Sequence, residues 1–262
     1  MRDGLELEME YQALLAMQTI FSADDSYGAL TPVGYIRFDR YEALVTRLFA
    51  GDDLYRCARR ADARGLGPMF HGAGALLRKL HEACPNSISF RPLDAPSKLK
   101  HLDEAYGEQL LAAPSMFDAF TQLRDGASRI ARTKVAWAWS HGDFKPENVL
   151  YDGRKIVVFD TKLSTNGACV YDIASFLNHV RLGGRTPGGW KVSRDYQQIE
   201  AEFLSGYGTL GLPQIAVLRW AQLYFMLCYY GRYARRGKMA KLYAQYKIGI
   251  LVRDIAKELA CS

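Results

Sequence analysis

The sequence lacks paired cysteines and any long apolar run that is free of polar residues. Its five cysteines stand singly, with no C-x-x-C pair. The first residues do not show the succession of charged, apolar and small residues that is typical of a secretory leader. We therefore expect reduced thiols and a cytoplasmic protein. The longest apolar stretch, residues 215–231, is short for a bilayer and is interrupted by Arg219 and Gln222. It predicts a buried helix and no membrane span.

Internal repeats and low-complexity segments are absent as well. With 262 residues, 49% of them hydrophobic, the chain can bury a core as one large domain or as two small lobes. The formal net charge is +6, and a basic cluster follows the apolar stretch: Arg232, Arg235, Arg236, Lys238 and Lys241. Such a cluster is usually a solvated face, although it can also attract an anionic partner. No nucleic-acid partner is expected.

The beginning of the chain predicts a helix followed by two strands. Apolar residues recur at helical spacing over residues 5–21, and a turn-rich segment follows. Residues 30–38 and 42–54 have the composition of strands, joined by a polar turn and closed by Gly51 and two acids. This part is a small unit of one helix and a few strands.

From Leu54 onward the pattern is mostly helical, with a small β structure in its middle. Strand-like segments occupy residues 134–139, 148–151 and 155–160, and the pair Asp152-Gly153 is a strong hairpin signal. The remainder is predicted to be irregular over 161–170, helical over 171–180, a Gly-rich loop over 182–189, and helical to the end.

The segment "SHGDFKPENVLYDGRKIVVFD", residues 140–160, concentrates polar side chains around this hairpin. Asp143 and Asn148 lie five residues apart in the loop that leaves the first strand, and Asp160 ends the hairpin. All three side chains can converge on one point. Carboxylate and amide oxygens suit Mg²⁺, which normally comes with the phosphates of a nucleotide.

The loop resembles the catalytic loop of the aminoglycoside phosphotransferase and choline kinase family, whose pattern is H-G-D-x-x-x-x-N followed by a strand that ends in Asp. "FDTKLSTNGACVYDIASF" resembles the metal segment and following helix of that family, and "GALLRKLHEA" and "FLSGYG" resemble other helical elements. The resemblance implies an α+β, protein-kinase-like two-lobe fold. Residues 1–53 would form a partial small lobe, and residues 54–262 a helical lobe.

The resemblance also implies roles for individual residues. Asp143 would accept or orient the proton of the acceptor hydroxyl, and Asn148 and Asp160 would hold Mg²⁺. Protein kinases also have a lysine at the position of Lys145, and this lysine would reach the transferring phosphate. His141 and Asp172 are interpreted as structural supports of the loop. The implied activity is transfer of the ATP γ-phosphate to a hydroxyl of a sugar, amino-sugar, amino-alcohol or related metabolite, and an anionic acceptor would suit the basic cluster.

The sequence departs from the family at its start. The family places a Gly-containing strand pair over the nucleotide and a strand Lys, paired to a helix Glu, on its phosphates. Glu10 is the candidate for that Glu, but only nine residues precede it, too few for three strands. We expect an internal start of a longer protein or a natural remnant, with weak Mg²⁺-ATP binding, poor turnover and apolar surface exposed between Val33 and Phe49.

Three further assignments remain open. Thr46, Leu48 and Phe49 are candidates for the hinge that frames an adenine ring, but a plain edge strand fits nearly as well. A non-catalytic binding or regulatory module is the alternative to a kinase. "KPEN" favours a protein kinase, whereas Gly142 in place of Arg, the short segment between Asp160 and Asp172, and the lack of an A-P-E motif argue against it.

Overall fold

The computed structural model describes residues 6–39, 41–61, 63–83, 88–184 and 196–261. The helices in this part of the chain are α1 (Glu6–Ile20), α2 (Leu54–Arg60), α3 (Ala63–Glu82), α4 (Ala95–Leu111), α5 (Pro114–Ile130), α6 (Cys169–Gly184), α7 (Tyr196–Tyr207), α8 (Leu212–Ala234), α9 (Lys238–Tyr243) and α10 (Gly249–Cys261). The strands are β1 (Tyr27–Ala29), β2 (Pro32–Phe38), β3 (Tyr41–Thr46), β4 (Asp52–Asp53), β5 (Ser89–Arg91), β6 (Val135–Ser140), β7 (Val149–Tyr151), β8 (Ile156–Val158) and β9 (Ser164–Ala168).

The chain divides into two compact units. The first contains the described residues up to Ile88, from Ala138 to Asp172, and α7 with the residues up to Thr209. The second contains the rest, with α4, α5, α8, α9 and α10. Each unit is compact and is built from three separate segments of the chain. The predicted lobes, 1–53 and 54–262, therefore stay a prediction.

A four-stranded sheet in the first unit has the order β1-β8-β7-β4. The predicted hairpin is confirmed, because β7 and β8 pair antiparallel with Leu150 opposite Val157. Gly153 has a φ of 100°, which explains the glycine in its turn. β1 pairs parallel with β8, and Gly28 lies opposite Val157. This long-range pairing was not expected, because residues 22–28 have the composition of a turn.

β2 and β3 form a separate two-stranded antiparallel sheet in which Phe38 lies opposite Tyr41. The predicted helix α1 is confirmed and packs on these strands, with the rings of Tyr11 and Tyr35 stacked at 6.3 Å between centroids. One face of the small sheet is therefore covered by α1.

Helices α3 and α7 cross closely because each contributes a glycine. A methyl group at Gly74 would overlap the main-chain oxygen of Phe203, and one at Gly206 would overlap that of His71. Phe70 and Phe203 are fully buried. The close crossing gives a structural reason for the glycine in the segment "FLSGYG".

The second unit is a helical bundle around α8. Trp220 at its centre is fully buried and donates from Nε1 to the main-chain oxygen of Leu123 at 2.8 Å. The prediction of a buried helix over residues 215–231 is confirmed, because much of α8 is inaccessible. None of the helices in the described ranges is long and apolar enough to cross a membrane.

Three local expectations differ from the structure or fall outside it. Residues 164–168 form β9, although residues 161–170 were predicted to be irregular. Residues 182–184 continue α6, because two consecutive glycines lower helix propensity without excluding a helix end. The rest of the predicted Gly-rich loop, 185–189, lies outside the described residues.

Candidate active site

The predicted catalytic residues lie in one loop and at the end of one strand of the first unit. The loop runs from β6 through the 3₁₀ turn Pro146–Asn148 into β7, and Asp160 follows β8. Because Val149 at the start of β7 pairs with Val158 at the end of β8, the two ends lie side by side. Asn148 and Asp160 are thereby brought together.

Asn148 connects two carboxylate residues. Its Nδ2 donates to the main-chain oxygen of Asp143 at 3.0 Å and lies 3.4 Å from Asp143 Oδ2 and 3.3 Å from Asp160 Oδ2. The residue is buried, and its backbone N–H closes the turn by donating to the Lys145 oxygen at 2.9 Å. Since the amide nitrogen is used in this way, the amide oxygen is the atom that can coordinate a ligand.

Lys145 forms an ion pair with Asp143. Its Nζ lies 2.6 Å from Asp143 Oδ2, and the two side chains are 24% and 27% exposed. Among the described residues no group donates to the other carboxylate oxygen, Oδ1, which is free to accept a proton or a hydroxyl hydrogen bond. The sequence predicted that Lys145 reaches a phosphate; in this structure it sits beside the proposed base.

His141, the first residue of the loop, is completely buried. Its Nε2 lies 3.1 Å from the Phe159 oxygen, and its Nδ1 lies 3.3 Å from the Asp143 N–H. The first contact needs a proton on Nε2 and the second needs a lone pair on Nδ1, so the ring is the neutral Nε2–H tautomer. Burial lowers the pKa of His141 and favours the same form. This is the environment of a scaffold residue.

Asp172 at the start of α6 holds the catalytic loop in place by hydrogen bonds to its backbone. Its Oδ2 accepts the His141 N–H at 2.7 Å, and its Oδ1 accepts the Gly142 N–H at 3.0 Å. The carboxylate is 2% exposed. Burial would raise the pKa of Asp172, but the hydrogen bonds from His81 and the loop outweigh it and hold that pKa below its usual value. A buried carboxylate anion thus fixes two consecutive loop amides.

His81 and Tyr207 extend these hydrogen bonds into α3 and α7. His81 Nε2 lies 3.1 Å from Asp172 Oδ2, and His81 Nδ1 lies 2.9 Å from the Tyr207 hydroxyl. Burial raises the pKa of Tyr207. Neither residue was assigned a role from the sequence alone. Both residues lie in the segments that resemble the family, and those segments were the signal that could have found them.

Two residues of the site have left-handed backbone conformations. Gly142 has a φ of 81°, and an added Cβ would lie 3.1 Å from the Cβ of Lys162. Asp160 has a φ of 54°, which is uncommon outside glycine and concentrates at functional sites. The glycine in place of the protein-kinase Arg therefore has a local steric reason, and the strained Asp160 supports a functional role.

The donors in this group fit a hard divalent cation. Asp143, Asn148 and Asp160 offer carboxylate and amide oxygens, which Mg²⁺ prefers together with water and phosphate oxygens. No group of three His, Cys, Asp or Glu side chains with metal-binding geometry occurs in the described ranges. A cation held by the predicted metal residues would therefore depend on the amide of Asn148, the carboxylate of Asp160 and oxygens of a bound phosphate.

The predicted nucleotide-binding residues outside the catalytic loop lie on α1, at the end of β3 and just after it. Thr46 ends β3, and Leu48 and Phe49 follow it and border two cavities of about 240 and 680 Å³. Leu48 is 96% exposed. Glu10 lies half-buried on α1. The hinge and Glu10 assignments stay predictions.

Comparison with solved structures finds kinases of small molecules that share this fold. A glucosamine kinase in complex with glucosamine, ADP and inorganic phosphate has a TM-score of 0.65 and 15% identity, covering 94% of this chain and 68% of its own. A choline/ethanolamine kinase family protein from Mesorhizobium loti has a TM-score of 0.63 and 13% identity, covering 97% and 82%. Amicoumacin kinase hAmiN in complex with AMP-PNP, Ca²⁺ and Ami has a TM-score of 0.62 and 15% identity, covering 98% and 78%.

These identities establish a fold and no more, and the fold is the α+β, protein-kinase-like one that the sequence predicted. No curated protein matches the chain in a sequence search. The sequence profile of the Phosphotransferase enzyme family matches residues 10–211. The chain belongs to this family.

Proposed function

We propose that this protein transfers the γ-phosphate of ATP to a hydroxyl group of a small molecule. The observation that supports the proposal is the group formed by Asp143, Lys145, Asn148 and Asp160, which is linked by contacts of 2.6 to 3.4 Å and held on a loop braced by Asp172. Family membership makes phosphoryl transfer the reaction to which this group is assigned.

Asp143 is proposed as the residue that accepts the proton of the acceptor hydroxyl. Its free Oδ1 offers the lone pair, while Oδ2 is held by Lys145 at 2.6 Å. Lys145 is proposed to shift toward the transferring phosphate when substrate is present, because its flexible side chain can reach oxygens beside the carboxylate. It would then neutralise negative charge as the phosphate moves.

Asn148 and Asp160 are proposed to hold Mg²⁺ together with the phosphates of the nucleotide. Bound Mg²⁺ would neutralise phosphate charge and orient the γ-phosphate for attack. The Nδ2 contact between Asn148 and Asp160, at 3.3 Å, keeps the amide oxygen and the carboxylate in one orientation before any ligand arrives.

A small acceptor is favoured over a peptide by the segment that follows Asp160. The Lys162 N–H donates to the His141 oxygen at 2.9 Å, and the Thr161 hydroxyl donates to the same oxygen at 3.2 Å. β9 and α6 follow directly. The segment is pinned to the catalytic loop and leaves little chain that could cradle a peptide.

The first experiment compares Asp143→Asn with Asp152→Asn, a matched change at an exposed turn of the same hairpin. ADP release from Mg²⁺-ATP is measured against a panel of sugars, amino-sugars and amino-alcohols. We expect Asp143→Asn to lower turnover about 10²-fold or more and Asp152→Asn to leave it unchanged. Full turnover in Asp143→Asn would refute the assignment of the base.

A second experiment tests the metal. Asp160→Asn should weaken binding of Mg²⁺-ATP much more than binding of metal-free ATP, since only the first needs the carboxylate as a ligand. An equal loss for both would make Asp160 a structural residue. Metal-dependent ATP binding without turnover of any acceptor would favour a non-catalytic relative over the enzyme.

A further inference from the structure

A strongly basic surface lies at the end of α8 in the second unit. We call it the basic tip and define it as Arg232 and residues 235–248, which include α9 and the π-helical turn Ala244–Ile248. Between Glu202 and Asp254 the sequence contains no acidic residue. The cations of the tip are Arg232, Arg235, Arg236, Lys238, Lys241 and Lys247.

Aromatic rings hold several of these cations. The Arg235 guanidinium lies 5.1 Å from the centroid of the Tyr106 ring, and that of Arg236 lies 5.2 Å from Tyr233. Lys247 lies 5.5 Å from Tyr243. In the described part of the chain no carboxylate forms an ion pair with any cation of the tip. The side chains are thus positioned without neutralising their charge.

Two acids, Glu108 and Glu258, do not neutralise the charge of the basic tip. Arg235 donates from Nε to Gln109 Oε1 at 3.0 Å, and Gln109 Nε2 lies 3.5 Å from the Glu108 carboxylate. On α10, Glu258 is bound by Arg181 at 2.7 Å and Arg219 at 3.2 Å. The tip therefore keeps a net positive field.

Apolar side chains stand among these cations. Met239 is 78% exposed and Tyr246 is 69% exposed, and Leu242 lies three residues after Met239 on the same face of α9. Solvated basic faces usually carry acids between their cations and few exposed apolar groups. A surface that combines unpaired cations with protruding aliphatic and aromatic groups suits a partner that is anionic on its outside and apolar just below.

We infer that the basic tip binds the surface of an anionic lipid bilayer. Lysine and arginine would contact lipid phosphates, while Met239, Leu242 and Tyr246 would enter the boundary between headgroups and acyl chains. A nucleic acid would use the same cations, but its phosphate backbone offers nothing that buries Met239 and Leu242. The exposed aliphatic pair is what favours the bilayer.

The test uses the full chain and co-sedimentation with vesicles. Phosphatidylcholine vesicles containing phosphatidylglycerol are compared with pure phosphatidylcholine at low and high salt. Binding is expected only to the anionic vesicles and should weaken as salt rises. Absence of binding to anionic vesicles at low salt would overturn the inference.

Two double variants separate charge from apolar insertion. Arg235→Gln with Arg236→Gln should lower partition about 25-fold, since each cation near an anionic surface contributes about fivefold. Met239→Ser with Leu242→Ser should lower it about tenfold, because apolar burial also contributes. If the apolar pair has no effect, or if duplex DNA binds more tightly than vesicles, the surface is a nucleic-acid or general polyanion site and the inference is wrong.

The matched control is Arg132→Gln with Lys134→Gln. Both residues are exposed and change the net charge equally, but they lie just after α5, whose end lines a cavity with Leu212 and Pro213 at the start of α8. Helix α8 has 23 residues. Its length of about 35 Å separates this position from the tip. Partition equal to wild type supports the tip, and a loss equal to that of the tip variant overturns it. Asp143→Asn should bind vesicles like wild type, so the test does not depend on the proposed reaction.

Discussion

Replacing Asp172 by Asn should loosen the catalytic loop although the two side chains have almost the same shape. The carboxylate is buried and accepts three hydrogen bonds, from His141 N–H, Gly142 N–H and His81 Nε2. An amide has only one oxygen. If that oxygen takes the position of Oδ2, it keeps the bonds to His141 and His81, and the new NH₂ group faces the Gly142 N–H.

The magnitude follows from this loss. A hydrogen bond to a charged group contributes about 1.5–3 kcal/mol, and leaving a buried donor unpaired costs about 1–3 kcal/mol. Burying a neutral amide costs less than burying a carboxylate, which offsets part of the loss. We expect Asp172→Asn to lower the free energy of unfolding by about 2–3 kcal/mol and the melting temperature by about 5–10 °C.

The assay is thermal unfolding together with amide hydrogen exchange at Gly142. Exchange at Gly142 should accelerate in Asp172→Asn, because its acceptor is gone. Asp94→Asn is the control: Asp94 accepts the Ser97 N–H at 3.1 Å as the N-cap of α4, and Asn caps equally well. If both variants have the same melting temperature and the same exchange at Gly142, Asp172 is not the brace that we describe.

Three further changes test other parts of the first unit. Gly142→Ala should lower the free energy of unfolding by about 1–2 kcal/mol, because alanine is strained at a φ of 81°, whereas Gly34→Ala, with open space around it, should change it little in the same denaturant titration. Gly206→Ala should cost more than about 2 kcal/mol in that titration, because the methyl group overlaps the main chain of α3 and must separate two helices. Burial lowers the pKa of His141, so the unfolded chain takes up a proton below pH 6.5 that the folded loop excludes. The free energy of unfolding should therefore be constant above pH 6.5 and fall as the pH drops from 6.5 toward the lowered pKa. His141→Asn should flatten this part of a profile of stability against pH.

The sequence predicts the hairpin of the site well because its signals are local. Asp152-Gly153 specifies the turn, alternating apolar residues specify the two strands, and a strand that ends in Asp160 places that carboxylate next to Asn148. Convergence of the polar group needs no information from the rest of the chain, and it could therefore be inferred from spacing.

The parts that were missed depend on contacts between distant segments. β1 is a strand only because β8 offers its edge, and its own residues favour a turn. His81 meets Tyr207 where α3 and α7 cross at two glycines, and no spacing rule joins His81 to Asp172 on α6. Spacing alone does not predict the ion pair between Lys145 and Asp143, and the role of Lys145 at a phosphate stays a prediction.

The sheet of β2 and β3 leads to a prediction about association. Residues that lie directly opposite each other share a face, so Phe38, Tyr41, Ile36 and Val45 lie on one side, away from the face on which Tyr35 meets α1. All four are exposed, with Phe38 at 64% and Tyr41 at 72%. Within the described residues neither edge of this sheet pairs with another strand. The predicted exposure of apolar surface on these strands is confirmed.

Covering such a face would stabilise a complex only weakly. Burying an aromatic or branched side chain contributes about 1.5–3 kcal/mol, whereas association costs about 4–15 kcal/mol in lost freedom. Because the four side chains are only 42–72% exposed, about half of that gain remains, so eight of them gain about 7–13 kcal/mol, which is close to the cost. We expect reversible self-association that appears only at high protein concentration, measured by sedimentation velocity.

Phe38→Lys with Tyr41→Lys should abolish this association, because lysines on the exposed face and near the strand edges prevent both stacking and edge pairing. The control is Leu212→Lys, an apolar residue that is 86% exposed at the start of α8 in the other unit. If the control reduces association as much as the strand variant does, general surface apolarity and not this sheet is responsible. If the strand variant still associates like wild type, the exposed face of β2 and β3 is not the contact, and the chain tolerates it in water as a monomer.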